Sequence, residues 1–234
     1  MAMDRTGCRN SGGTKSNSMR QKLIAEGVGT AMLLISVIGS GIMGVALADG
    51  NDAIALLATA IATGCMLYVI ITVLGPISGA HFNPAVTLAF YLRGDITAKL
   101  AMGYAVAQVV GGIIGVWATH AMFELPILQT SETLHRSGIA QWWSEILATL
   151  GLLFVIFGGL KSRPEAVPTL VALYITGAYW FTASTSFANP AVTIARGFSD
   201  TFAGIYPGHI PAFVIVQLIA AIFAHKLFTA FFGR

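Results

Sequence analysis

Asn83-Pro84-Ala85-Val86-Thr87 and Asn189-Pro190-Ala191-Val192-Thr193 are the same five residues in the same order, once in each half of the chain. Asparagine is a preferred helix N-cap, and a proline after it stands at the first helical position, where its fixed φ suits the helix and its missing N–H goes unneeded. Each box therefore predicts a short helix that opens after an extended piece, Ser78 to Phe82 in the first case and Ser184 to Phe187 in the second. A helix start presents unsatisfied N–H groups and a positive dipole end of roughly half a charge. Placed beside an asparagine amide, it can orient a passing oxygen and repel a cation. The repetition goes further: Glu26-x-x-x-Thr30 is answered by Glu145-x-x-x-Thr149, and Gln108 by Gln217. The order Glu, Asn-Pro-Ala, Gln occurs twice.

The elements that hold these residues lie in a bilayer. Of 234 residues, 56% are hydrophobic and only 10% charged, against roughly 25% charged in soluble domains. Cys8 and Cys65 make neither a disulfide framework nor a structural zinc site, which takes about four ligands. His120, His135, His209 and His225 are scattered without metal-ligand spacing, so no metal and no cofactor is expected. The net charge of +3 does not point to nucleic acid, because Arg5, Arg9, Lys15, Arg20 and Lys22 crowd the start of the chain. Nor does any Ser/His or paired-Asp arrangement stand at a spacing that would suit an enzyme.

Charged residues mark six apolar segments, near 23–47, 53–74, 100–121, 141–160, 166–184 and 210–230, each about the 20 residues a spanning helix needs. Residues 1–20, rich in Ser, Gly, Asn and Thr, read as a disordered tail. The membrane domain is then 21–234, in halves of about 21–122 and 140–231. An even number of spans leaves both termini on one side, which collects every Lys and Arg except Arg136 and Arg196, so the positive-inside rule makes that side cytoplasmic. The uncharged run 53–92 is too long for one span. Gly75-Pro76 is expected as a turn after it, followed by the extended piece and the short helix. Three spans per half is an odd number, so the halves enter the membrane from opposite faces and the two short helices meet, N-terminus to N-terminus, near its centre. Broken helices in corresponding positions of an inverted repeat mark a pathway at the midplane, and irregular backbone survives there only beside protein or a water-filled cavity.

Paired Asn-Pro-Ala boxes in a six-span repeat resemble the aquaporin and aquaglyceroporin family, the major intrinsic proteins, over about residues 20–231. The resemblance implies an all-α membrane protein with six transmembrane helices and two re-entrant half-helices, one pore per subunit in a homotetramer, and the boxes Asn83, Pro84, Ala85 and Asn189, Pro190, Ala191 at the pore centre. It implies a selectivity filter at Thr63, Gly177, Ser186 and Val192, and here the chain departs from the pattern. Val192 stands where the family usually carries Arg, Thr63 where it usually carries an aromatic, and Thr193 where glycerol channels usually carry Asp. Four small, uncharged residues predict a wide filter.

His81 borders the first box, as pore lining or as a brace for the loop. Arg196 lies four residues beyond Val192, as a cation at the outer mouth or as a surface residue at a helix end. Glu26 and Glu145 are expected to be structural, as acceptors for loop N–H groups, and Gln108 and Gln217 to join helices. Trp142, Trp143 and Tyr206 read as interfacial anchors. The expected function is passive passage of small neutral solutes (polyols such as glycerol, urea, undissociated metalloid hydroxides such as arsenous acid) and of water, in the plasma or inner membrane. The alternatives are a water-selective channel and, in another class, an ion-coupled transporter working through Glu26 and Glu145.

Overall fold

A computed structural model of the protein describes residues 17–232. Its described residues form eight α-helices: α1 (Met19–Leu47), α2 (Asp52–Ser78), α3 (Pro84–Arg93), α4 (Ala98–Met122), α5 (Ile139–Ser162), α6 (Val167–Phe181), α7 (Pro190–Arg196) and α8 (Ile210–Phe232). The expected disordered tail falls mostly on residues 1–16, outside the described residues, but Met19 and Arg20 already belong to α1. Ser18 starts that helix: its hydroxyl accepts from the Gln21 N–H while the Gln21 side chain reaches back to the Ser18 N–H.

All six long helices and both short ones occur in the expected order. Five of the long helices are each long and apolar enough to cross a membrane. The sixth, α6, has only 15 residues, or about 22 Å, and is led in by a 3-10 turn at Pro164–Ala166. Gly75-Pro76 is not a turn. α2 runs through it to Ser78 and ends on Gly79, whose φ of 92° supplies the left-handed C-cap. Proline is tolerated there because Gly75 has no Cβ to crowd the pyrrolidine ring and only one helical bond is lost near the helix end.

Packing follows the repeat. α1 packs on α2 and α4, and α5 correspondingly on α6 and α8; each half-helix then crosses over, α3 onto α8 and α7 onto α4. Small residues allow this. A Cβ on Gly111 would come within 2.8 Å of the Gly27 Cα, and one on Gly115 within 2.9 Å of the Ala31 Cα, so α1 and α4 meet backbone to backbone. Val69, Val73, Met102, Val106, Leu173 and Ile219 lie exposed on the outside, where lipid would cover them. Polar side chains are turned inward: Glu26, Gln108, Glu145 and Gln217 are fully buried. Trp143 is exposed, as an interfacial anchor would be, whereas Trp142 is half-buried against Phe187, Ile205 and Phe213.

Candidate solute pathway

Both extended pieces are built from left-handed residues in register. Gly79, Ala80 and Phe82 have φ of 92°, 53° and 48°, and Thr185, Ser186 and Ala188 have 62°, 52° and 46°. Non-glycine residues in that region cost of order 1–3 kcal/mol each and persist only where neighbours over-determine them. The two buried glutamates do so. Glu26 accepts from the His81 N–H (2.9 Å), the Phe82 N–H (2.7 Å), the Ser78 hydroxyl (2.6 Å) and the Gln108 amide (2.7 Å). Glu145 accepts from the Phe187 N–H (2.9 Å), the Ala188 N–H (2.7 Å) and the Gln217 amide (2.6 Å). Each glutamine also donates to a half-helix threonine, Gln108 to Thr87 and Gln217 to Thr193. One pattern holds both loops.

The boxes tie the two halves together. Asn83 Oδ1 accepts from the Ala85 and Val86 N–H groups, and Asn189 Oδ1 from those of Ala191 and Val192. In addition, Asn83 Nδ2 donates to the Ala188 carbonyl at 2.7 Å, and Asn189 Nδ2 to the Phe82 carbonyl at 2.8 Å. One amide hydrogen of each asparagine is thus committed to the opposite loop. The other finds no protein acceptor among the described residues.

A cavity of about 870 Å³, counted with its open ends, runs past both boxes. Long helices line it at four-residue spacing: Thr63, Leu67 and Ile71 of α2, Leu152, Ile156 and Leu160 of α5, and Val171, Ile175 and Tyr179 of α6. Polar side chains of Asn83, Asn189 and His81 belong to the same lining, with Gly79 and Ala80 beside them. An apolar wall thus faces a polar stripe. His81 both lines the cavity and braces the loop, since its Nδ1 lies 3.1 Å from the Thr87 hydroxyl and its ring 4.5 Å from that of Phe90.

Of the four expected filter residues, Thr63, Ser186 and Val192 reach the cavity. Gly177 does not: it lies on the exposed face of α6. Two residues along a helix turn through about 200°, so Tyr179 takes the inward face, and its hydroxyl meets that of Thr63 at 3.2 Å. Ser186 Oγ is buried with no hydrogen-bond partner among the described residues. Arg196 is no surface residue. It is 3% exposed, lines the cavity, and stacks its guanidinium 3.5 Å from the Phe187 ring centroid.

Residues 13–183 match the sequence profile of the major intrinsic proteins. The chain is also 53% identical to aquaglyceroporin AqpS of Rhizobium meliloti (strain 1021), over 89% of each chain. The chain belongs to the major intrinsic protein family. As a major intrinsic protein it is a multi-pass integral membrane channel, a passive transporter and not an enzyme. Aquaporin NIP1-2 of Arabidopsis thaliana is 39% identical over 66% of this chain and 54% of its own length. Among solved structures, the aquaglyceroporin from Plasmodium falciparum superposes with a TM-score of 0.73 at 19% identity, covering 90% of this chain and 96% of that one. The fold is therefore the aquaporin fold.

Tyr179 and Phe187 in the cavity lining, and Arg136 beside the Phe187 ring, were not anticipated. Tyr179 had a signal in the four-residue spacing from Val171 and Ile175. Arg136 had none, since it comes from the loop between the halves: its Nε donates to the Gly204 carbonyl at 2.9 Å, its Nη2 to that of Phe202 at 3.3 Å, and its guanidinium lies 5.4 Å from the Phe187 ring.

Proposed function

We propose that the protein is a passive channel for small neutral solutes, among them glycerol, urea and undissociated metalloid hydroxides such as arsenous acid, and that it passes water as well. The observation that carries this reading is that the small, uncharged Thr63, Ser186 and Val192 line the cavity beside the Asn83 and Asn189 amides and an apolar wall from α2, α5 and α6. A solute with a hydrocarbon side and several hydroxyls suits both surfaces, because buried polar groups need partners and the apolar wall offers none. The 53% identity to a protein named an aquaglyceroporin supports the same class. We place the channel in the plasma or inner membrane, with both termini cytoplasmic and four copies per assembly, each holding its own pathway.

Stopped-flow light scattering on proteoliposomes with water, urea, glycerol and arsenous acid tests this reading. Glycerol and urea fluxes well above those of empty liposomes are expected. Water flux alone would support the second reading, a water-selective channel, which draws on the bulky Tyr179 and the cationic Arg196 in the cavity lining.

A further inference from the structure

We propose that this pathway sorts solutes by size and by charge at two separate levels, with Val192 bounding the first and Arg196, positioned by Arg136, supplying the second. The inference rests on the small-solute reading above. Val192 and Arg196 are four residues apart on α7, so their side chains stand about one helical turn, near 6 Å, from each other along the axis. Both line the cavity. The inner of the two levels, at Val192, is uncharged, as are Thr63 and Ser186 in the same lining. The outer holds a guanidinium.

Four observations make Arg196 a fixed cation of the pathway and not a packing residue. It is buried, so its charge is little screened by bulk water. No carboxylate pairs with it: the ion pair found among the described residues is Arg93 with Asp95. Its Nε donates to the Ala203 carbonyl and its plane rests on the Phe187 ring. Its terminal N–H groups find no protein acceptor among the described residues and are left to the cavity. Arg136 fixes this geometry by holding the carbonyls on either side of Ala203, those of Phe202 and Gly204. It also brings a second positive charge to the same ring. Asn83 and Asn189 line the same cavity further in, each with one amide hydrogen uncommitted, so a neutral solute can accept from Arg196 and then exchange that bond for one with the asparagine amides. A cation gains no such first step.

The test compares solutes matched in shape but not in charge, urea and guanidinium, and a size series of urea, glycerol and erythritol, on reconstituted wild type, Arg196→Gln, Arg196→Lys, Arg136→Gln and Val192→Phe. Arg196→Gln is expected to raise the guanidinium-to-urea flux ratio at least about tenfold, Arg136→Gln to raise it less, and Arg196→Lys to restore rejection. Val192→Phe is expected to lower erythritol relative to urea at least about tenfold without admitting guanidinium. Should Arg196→Gln fail to fold, the Arg136→Gln ratio still decides. Folded Arg196→Gln or Arg136→Gln with the wild-type ratio, or a Val192→Phe channel that admits guanidinium, overturns the two-level filter. A wild type that passes neither urea nor glycerol overturns the small-solute reading itself, and this inference with it.

Discussion

Glu145 ends hydrogen bonds from two consecutive backbone N–H groups and one side-chain amide, and Glu26 does the same with a hydroxyl added. A carboxylate suits this because it offers only acceptor sites. Glutamine in its place would turn an NH2 group toward an N–H that needs an acceptor. Glu145→Gln is therefore expected to destabilise the channel by about 1–3 kcal/mol, the cost of a buried donor left unpaired, measured as a lowered melting temperature in detergent, with solute flux reduced. The same variant separates a structural carboxylate from a transporting one. If Glu145 coupled flux to protons, Glu145→Gln would leave stability intact and abolish accumulation against a gradient.

At the scale of elements, pattern carried information where one helix face repeats and lost it where loops meet. Asn83-Pro84 and Asn189-Pro190 made both half-helix starts legible, since cap chemistry is local. Gly177 was misplaced because a position counted along the chain ignores which face of α6 is turned inward; Thr63, Leu67 and Ile71 on α2 and Val171, Ile175 and Tyr179 on α6 show the face directly. The Arg136, Phe187 and Arg196 cluster could not be read, because it joins the 123–138 loop to the end of α7 through backbone carbonyls of 202–204, which carry no side-chain signature.

Helix contacts give a sharper test. Gly111→Ala would press a methyl group into the α1 backbone and is expected to cost about 1–3 kcal/mol, whereas Gly39→Ala, whose nearest neighbours would lie at 3.5 and 3.6 Å, is expected to be near neutral; unfolding in denaturing detergent compares them. The outer loops supply a pH test. The backbone N–H of Thr133, then its hydroxyl, and the N–H of Glu132 hold the Asp200 carboxyl below its ordinary value of 3.8. A depressed carboxylate stabilises above its unfolded pKa and loses that contribution as pH falls through the folded one. Protection of the Glu132 and Thr133 amides from hydrogen exchange, relative to intrinsic rates, should thus hold at neutral pH and fall below about pH 4. Asp200→Asn should show the weaker protection at neutral pH already.

For the whole molecule, the inverted repeat sets what kind of transport is open to it. Each half contributes one half-helix whose N-terminus meets the other's through the Asn83 and Asn189 cross-ties, so two positive dipole ends of roughly half a charge face the same point of the pathway. A hydronium or sodium ion meets that barrier with no carboxylate in the cavity lining to offset it. Alternating access would require one half to rock against the other, and here the halves are locked by those cross-ties and by α3 on α8 and α7 on α4. Flux is therefore expected to be uncoupled: proteoliposomes given a glycerol gradient should show flux proportional to the gradient, unchanged by an imposed membrane potential, and no solute-dependent current. A current that appears with solute, or uptake that continues against the glycerol gradient when a proton or sodium gradient is applied, would mean that the two halves do move and that Glu26 or Glu145 leaves its loop during transport.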